Sequence, residues 1–503
     1  MLLLTLDEKS GKPKYEQILE QVRQRIESRV LRPGDRLPST RKLADSLGVH
    51  RSTVALAYQE LWALGFLDLS PGSRPRVRGR MQIVTSTERP ERGMVAWDRI
   101  ASPGAKAIWQ AHASFEAEWS DRNGTDAIDF RTLDMDPRLF PLDQFRSSLN
   151  RAIGRHGAAL FGYGDRAGFR PLREWIAQRL RSHSISVAAD EILITNGSQH
   201  AIDLVLRMIA APARSIAIES PTYSHLLPLV GLLGLKTLEV PVGDSGMDLN
   251  VLADILRRKR PALVYTMPNF QNPTGVSTDQ AHRERLLSLC EAHRVPILED
   301  GFEEEMKYSG RVVLPVKSMD RHQLVIYCGT FSKVLSPGVR IGWVAADTKC
   351  IERLMAIRRF TDVSPNMIVQ AGMQEFCSAG YYDRHVARMH RAFRRRMQAA
   401  IEALRRHVSP QWARWTEPSG GFLIWLELRP CASLDWGRLF AAHGVRALSG
   451  RYFFSSGVEQ RYIRLSISTL TEEEIVEGIR RLSRALAAVY GGNKRARTVA
   501  VAQ

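Results

Sequence analysis

Cysteine is scarce in this chain of 503 residues, which contains only five. None of them belongs to a CxxC pair or to a cluster of cysteine and histidine; they are Cys290, Cys328, Cys350, Cys377 and Cys431. An odd, scattered set of this kind excludes a disulfide framework and argues against a zinc site. We therefore expect no metal centre and a reducing, cytoplasmic location.

Long apolar runs are lacking too. No uninterrupted apolar stretch approaches the ~20 residues that span a bilayer, so we expect no membrane partner. Residues 1–7 lack the basic region and the cleavage pattern of a signal peptide. Acidic residues are also outnumbered, with 53 Asp and Glu against 71 Lys and Arg, which gives a formal net charge of +18. This balance favours a polyanionic partner, although a solvated basic surface explains it equally well.

The length suggests roughly two to four domains, and the composition divides the chain into zones. Residues 10–80 are helix-rich and basic. Residues 81–127 show weak periodicity with scattered Pro, Gly and Ser, so we interpret them as a linker whose later apolar residues dock on a neighbour. Residues 128–490 form a long domain, and residues 491–503 are expected to be a flexible tail.

The zone 128–490 shows the alternation of strands and helices that is typical of an α/β domain. Helical stretches such as 280–293 lie between β-rich runs, which occur at 192–195, 215–218, 262–265, 295–298 and 324–327. This alternation predicts βαβ units and a mostly parallel sheet with helices on both faces. In such sheets, ligands bind beyond the carboxyl ends of the strands.

The zone 10–80 has the pattern of a winged helix-turn-helix. Apolar spacing predicts a helix over 15–28, a second helix after the N-cap Ser39, a turn at Gly48 and a third helix beginning near residue 50. Residues 67–77 can form a β-hairpin wing. Basic and hydroxyl side chains are placed to bind DNA phosphates: Arg36, Ser39, Thr40, Arg41, Arg51, Ser52, Thr53, Arg74 and Arg76. A small helical domain with a solvated basic face fits the same pattern.

A closer resemblance narrows this choice. The string LRPGDRLPSTRKLA at 31–44, followed by LGVHRSTV at 47–54, resembles the GntR family of winged-helix regulators. The resemblance covers nearly the whole zone 10–80. It implies contacts to a double-stranded DNA operator from Arg41, Arg51, Ser52 and the wing at Gly72.

Polar residues that follow several predicted strands match the needs of pyridoxal phosphate (PLP). This cofactor requires a lysine for its Schiff base, a carboxylate for the pyridine nitrogen, donors for the phosphate and an aromatic ring for stacking. Lys333 lies just beyond the strand at 324–327, and Asp300 ends the strand that begins near 295. The other candidates are Ser198, Gln199, Tyr223, Asn272, Thr330, Ser332 and Arg340. Each alone is a weak signal, because a lysine after a strand is usually solvated.

As a set, these residues resemble the fold type I aminotransferases, especially the branch of kynurenine and aminoadipate aminotransferases. The resemblance runs from about 128 to 490. It implies that Lys333 forms the Schiff base and Asp300 pairs with the pyridine nitrogen, that Tyr163 reaches the phosphate of a partner subunit, and that Arg464 binds a substrate carboxylate. Phe302 stands where relatives usually have a tyrosine, which removes a hydrogen bond worth roughly 0.5–1.5 kcal/mol.

The two halves together resemble the MocR family, which implies a multidomain homodimer. Its fold is a small α/β winged helix-turn-helix followed by an α/β PLP-dependent domain of the aminotransferase type. We expect a transcription regulator that senses a small amine or amino acid through an aldimine on Lys333. Two alternatives stay open: a working aminotransferase with an appended DNA-binding domain, and a regulator that senses PLP itself.

Overall fold

A computed structural model describes residues 3–8, 10–70, 73–78, 95–120, 126–430, 435–457 and 461–491. The chain divides into two compact units, Met1–Ala96 and Trp97–Gln503. Among the described residues, no helix is both long and apolar enough to cross a membrane.

The first unit contains three helices: α1 (Lys14–Glu27), α2 (Thr40–Leu47) and α3 (Arg51–Ala63). Ser39 caps α2 as predicted, since its hydroxyl accepts a hydrogen bond from the Lys42 N–H at 3.3 Å. Gly48 ends α2 with a φ of 63°, a left-handed conformation that glycine adopts without strain. The predicted helix-turn-helix is therefore formed by α2 and α3.

The expected wing follows α3. Strands β1 (Leu67–Asp68) and β2 (Arg76–Val77) pair antiparallel, with Leu67 opposite Val77. Both of these apolar residues are buried in the core that the three helices share, which holds the hairpin in place. Residues 71 and 72 at the tip lie outside the described residues, so the predicted contact at Gly72 is not described.

The second unit alternates strands and helices. Its helices are α4 (Trp97–Ile100), α5 (Pro103–Ser120), α6 (Leu142–His156), α7 (Arg170–Ser182), α8 (Ser198–Ile209), α9 (Leu226–Leu232), α10 (Leu249–Lys259), α11 (Gln280–His293), α12 (Val316–Met319), α13 (Thr348–Thr361), α14 (Met367–Ser378), α15 (Tyr381–His407), α16 (Trp436–Ala442) and α17 (Glu472–Tyr490). Its strands are β3 (Ile128–Asp129), β4 (Ile192–Thr195), β5 (Ser215–Ser220), β6 (Lys236–Gly243), β7 (Gly246–Met247), β8 (Val264–Thr266), β9 (Ile297–Asp300), β10 (Val325–Thr330), β11 (Gly342–Ala345), β12 (Ala413–Trp415), β13 (Leu423–Leu428), β14 (Val445–Arg446), β15 (Leu448–Ser449) and β16 (Tyr462–Ser466).

The main sheet has eight strands in the order β4-β11-β10-β9-β8-β5-β6-β7. The run from β10 to β6 is parallel throughout, whereas β11 and β7 are antiparallel to their neighbours. Successive side chains of β9 lie in different apolar clusters. Leu298 belongs to the same cluster as Val205 of α8, and Ile297 belongs to the same cluster as Leu252 of α10. The mostly parallel sheet with helices on both faces is confirmed.

A second, smaller sheet was not predicted from the sequence. It is antiparallel, with the order β12-β13-β16-β15. Its central pair aligns Trp425 of β13 with Arg464 of β16. The smaller sheet thus supplies Arg464, the residue predicted to bind the carboxylate of the ligand.

The structure differs from the predicted linker over 81–127. The second unit begins at Trp97, and residues 103–120 form the 18-residue helix α5. This helix approaches α9 so closely that a Cβ on Gly104 would lie 2.4 Å from the Leu232 carbonyl oxygen. Alanine-rich composition without an internal proline favours a helix here, although the stretch lacks a clear apolar periodicity. Residues 79–94 and the predicted tail beyond 491 lie outside the described residues.

Candidate functional site

The predicted cofactor residues meet at the carboxyl edge of the main sheet. Asp300 is the last residue of β9 and Thr330 the last of β10, two strands that run parallel side by side. Lys333 follows three residues after Thr330. Parallel strands bring their carboxyl ends to one edge, so these separate segments converge on one place.

Asp300 is a buried carboxylate with half of its hydrogen-bonding capacity unused. Its Oδ2 accepts a hydrogen bond from the Tyr265 hydroxyl at 2.8 Å, whereas Oδ1 has no hydrogen-bond partner within the described part of the chain. Burial raises the pKa of Asp300 to about 6, and the Tyr265 hydroxyl opposes that rise. An orphaned acceptor in a buried position suits a cationic N–H donor, such as a protonated pyridine nitrogen.

Lys333 is partly buried at the same edge of the sheet. Its Nζ donates to the Leu133 carbonyl oxygen at 3.0 Å. Burial lowers the pKa of Lys333, and the charges of Asp134 and Glu303 oppose the fall. A lysine with a lowered pKa is more readily available as the neutral amine that forms a Schiff base.

The predicted phosphate residues surround the start of α8. Ser198 and Gln199 open this helix, whose N-terminus favours negative charge. Arg340 lies next to it: its Nη2 donates to the Asn196 carbonyl at 2.6 Å, and a Cβ on Gly197 would lie 2.9 Å from the same nitrogen. Glycine at 197 therefore leaves the guanidinium room at the helix end.

Two hydroxyls complete this side of the site. Thr330 Oγ1 donates to the Ile341 carbonyl and accepts from the Ser332 N–H, each at 3.1 Å. The buried Ser332 hydroxyl has no hydrogen-bond partner of its own among the described residues. The N-terminus of α8, the Arg340 guanidinium and the Ser332 hydroxyl together form a set of hydrogen-bond donors that fits a phosphate.

Arg464 is buried in the same region. Its Nη2 donates to the Arg131 carbonyl at 2.6 Å and its Nη1 to Asn272 Oδ1 at 3.5 Å, while Nε lacks a partner in the described structure. Burial lowers the pKa of Arg464 to about 9. An incompletely satisfied buried guanidinium is suited to bind a carboxylate. Asn272, predicted to contact the ring hydroxyl of PLP, lies beside this arginine.

A cavity of about 530 Å³ opens between these groups and α5. Its size lies in the ~300–1,000 Å³ range typical of small-molecule sites. Gln199, Tyr223 and Arg464 line one side of it, and residues of α5 line another. Tyr163 is not part of this group within one chain, because it is 89% exposed.

Several residues of the site carry no recognisable signal in the sequence. Tyr265 lies in a predicted strand, but only the sheet register shows that its hydroxyl faces Asp300. Glu303 is fully buried, yet in the sequence it is the first of three consecutive acidic residues, which resemble a solvated charge run. The residues of α5 were assigned to a linker. Such contacts depend on long-range packing, which apolar periodicity does not reveal.

The first unit presents most of the predicted DNA-contacting residues at the starts of α2 and α3, with Arg36 just before α2 and Arg74 and Arg76 in the wing. The Arg51 Nε donates to Thr40 Oγ1 at 3.3 Å, and the Ser52 hydroxyl lies 2.6 Å from His50 Nδ1. Most of the predicted set is exposed, with Thr40 and Thr53 half-buried; the exposed members are Arg36, Ser39, Arg41, Arg51, Ser52, Arg74 and Arg76. This placement leaves these side chains accessible to phosphates.

Comparisons with known proteins agree with the families predicted for the first and for the second unit. Residues 14–77 match the family of bacterial regulatory proteins, gntR family, and residues 136–482 match aminotransferase class I and II. The HTH-type transcriptional regulator TauR of Rhodobacter capsulatus is 31% identical over 474 residues, which cover 90% of this chain and 93% of TauR. The probable rhizopine catabolism regulatory protein MocR of Rhizobium meliloti is 28% identical over 492 residues, covering 97% and 96%.

A solved structure extends the likeness to three dimensions. The multiple substrate aminotransferase of Thermococcus profundus superposes with a TM-score of 0.74 at 29% identity, covering 78% of this chain and all but 1% of that one. The matched aminotransferase fold implies PLP as the cofactor. The orphaned Asp300 Oδ1, the Ser332 hydroxyl and the donors around α8 fit that group.

Proposed function

This chain belongs to the MocR family of transcriptional regulators, and we propose that it senses a small amine or amino acid with its PLP domain. We further propose that it acts as a homodimer on operator DNA in the cytoplasm. Two observations support the proposal: Asp300 and Lys333 lie at the carboxyl ends of the neighbouring parallel strands β9 and β10, and Arg464 lines a cavity together with Gln199 and Tyr223.

The cofactor supplies an aldehyde carbon that reacts with amines and a ring that withdraws electrons. Lys333 would hold the aldehyde carbon, Asp300 the pyridine nitrogen, and Arg340 with the α8 N-terminus the phosphate. Lys333 Nζ donates to the Leu133 carbonyl in this structure, so the amine would have a hydrogen-bond partner whenever it is not bonded to the cofactor. Arg464 would bind the carboxylate of the ligand.

A homodimer suits both units. The highly exposed Tyr163 is available to a second subunit, which is the role that the aminotransferase resemblance implies. Operators of helix-turn-helix proteins consist of half-sites related by two-fold symmetry, which a dimer matches. Sedimentation of the full chain, with and without an operator duplex, measures the stoichiometry.

The test uses the PLP-loaded full chain and a labelled duplex recovered by in vitro selection with it. Fluorescence anisotropy measures operator affinity while a panel of amines and amino acids is added, and visible absorbance follows the cofactor. We expect one ligand class to change both signals in wild type and neither in Lys333→Ala. Lys349→Ala, which removes an exposed lysine, is the matched control and should behave as wild type.

Other outcomes identify the alternatives. A change in operator affinity on addition of PLP alone, with no response to amines, would replace amine sensing by PLP sensing. Steady release of a keto product without any effect on DNA binding would support an aminotransferase. Failure of PLP to change the absorbance of the wild type would contradict the assignment of Lys333.

A further inference from the structure

Helix α5 presents one face to the cavity. The residues of this face recur every three or four positions, as helical geometry requires: Ile108, Ala111, His112, Phe115, Glu116 and Trp119. Its polar members His112 and Glu116 are exposed, whereas Ile108, Phe115 and Trp119 are half-buried. Apolar residues from other segments extend this surface: Leu133, Pro228, Leu229 and Leu448.

The cavity lining includes two arginines, Arg131 and Arg464, and one acid, Glu116 of α5. Arg131 also lines the cavity, but its guanidinium is ion-paired with Asp129 at 2.7 Å and donates to the Glu118 carbonyl. Its positive charge is therefore already balanced. Arg464, in contrast, has no ion-pair partner among the described residues and keeps an unpaired Nε. A ligand in this cavity meets one available anion site and a largely apolar remainder.

Helix α5 is held firmly enough to act as a wall. Phe115 stacks on Tyr452 with ring centroids 4.4 Å apart and on His225 at 5.6 Å. His225 in turn stacks on Tyr223 at 5.3 Å, so four rings form a continuous row. The Tyr452 hydroxyl donates to the Ser114 carbonyl at 2.8 Å. The row joins α5 to the tyrosine that we expect to stack on the cofactor.

We propose that α5 selects the effector, and that the effector is an amino acid with an apolar side chain. This rests on the proposed amine-sensing function. The carboxylate binds Arg464, and the side chain packs against Ile108 and Phe115 of α5. A second acidic group on the ligand would lose hydration among these apolar residues and would face the like charge of Glu116 on the same helix.

The position of α5 in the chain gives this selection a consequence. It is the first long helix after the DNA-binding unit, which ends at Ala96. The ligand therefore contacts a helix that begins within ten residues of the end of the DNA-binding unit, after only the short helix α4. A ligand can shift an equilibrium only through different contacts in two states, and contacts to α5 are placed to supply them.

Calorimetric titration of the PLP-loaded full chain tests the ligand class. The probes are L-phenylalanine, L-leucine, glycine, L-glutamate and L-lysine. We expect the two apolar amino acids to bind at least about tenfold more tightly than glycine, because side-chain burial adds affinity, and L-glutamate to bind no better than glycine.

A charge placed on the cavity face of α5 provides the sharper test. Ile108→Arg should weaken L-leucine binding by about tenfold or more and should strengthen L-glutamate binding, because a second cation now faces the ligand. Gln110→Arg places the same charge on an exposed position of α5 that does not line the cavity, and it should leave both affinities within about twofold. Cofactor absorbance shows that each variant is folded and loaded.

The outcomes separate this inference from the function on which it rests. If L-glutamate or L-lysine binds wild type more tightly than the apolar amino acids, or if Ile108→Arg changes nothing, the role of α5 is refuted while amine sensing stands. If no amino acid binds the loaded protein, although Lys333-dependent absorbance is present, amino-acid sensing itself fails.

Discussion

Removal of the Glu305 carboxylate should loosen the segment that carries the cofactor carboxylate. Glu305 lies five residues after Asp300, and its side chain is 15% exposed. Arg179 of α7 donates to both of its oxygens, at 2.8 and 2.7 Å, and His183 Nε2 lies 3.3 Å away. This cluster ties the chain after β9 to α7. The change Glu305→Gln keeps the size of the side chain and removes its charge.

The magnitude follows from the pKa of Glu305. Burial alone would raise this pKa, but hydrogen bonds from His183 and Arg179 outweigh it and lower the value from 4.5 to about 2. At ~1.4 kcal/mol per pH unit, the charged form contributes about 3 kcal/mol to folding. Since the folded pKa is depressed, this contribution is complete above the unfolded pKa of 4.5 and is lost as the pH falls towards 2.

Urea unfolding followed by tryptophan fluorescence measures the effect on the second unit, because only Trp62 of the ten tryptophans lies in the first unit. We expect Glu305→Gln to lower the free energy of unfolding by about 3 kcal/mol at pH 7, and the difference from wild type to shrink by about 1 kcal/mol at pH 4. The control Glu417→Gln breaks an exposed pair with Arg405 and should cost less than about 1 kcal/mol. Equal losses in the two variants would refute the reasoning.

Three further changes test other parts of the chain. Tyr265→Phe removes the 2.8 Å hydrogen bond to Asp300; the PLP dissociation constant, from absorbance titration, should rise about tenfold. Arg51→Ala should weaken binding to all duplexes, and it should reduce the slope of log K against log salt concentration by about one. Ser39→Ala removes the cap of α2 and should lower the stability of the first unit by about 1 kcal/mol in thermal unfolding; Ser39→Asp should retain it.

The parts of the fold that the sequence predicts are those with local signals. Buried β-rich runs end at Asp300 and Thr330, so the carboxyl edge of the sheet and its chemistry could be located without a structure. Ser39 and Gly48 marked the start and the end of α2 for the same reason, because caps act on neighbouring residues.

The rest depends on contacts between distant segments. Arg131, which follows β3, donates to the Glu118 carbonyl of α5, and this contact forms only when the two segments lie side by side. Helix α5 is half-buried along a single face, which includes Ile108, Phe115 and Trp119, and exposed apolar residues such as Trp109 on its other side obscure that face in the sequence. In the sequence, such a helix resembles a linker. Only its contacts in the folded chain show that it belongs to the site.

The electrostatics of the site suggest why an aminotransferase-like pocket suits a sensor. Lys333 and Arg464 are cations whose pKa burial lowers, while Glu303 is a fully buried acid whose pKa burial raises well above its ordinary value. Neither oxygen of Glu303 has a hydrogen-bond partner among the described residues. All three groups are therefore pushed towards their neutral forms. A ligand carboxylate that enters the pocket supplies a counter-charge for Arg464, so its binding stabilises the filled state relative to the empty one. This affinity shifts the regulator between two conformations only to the extent that the ligand binds one of them more tightly than the other.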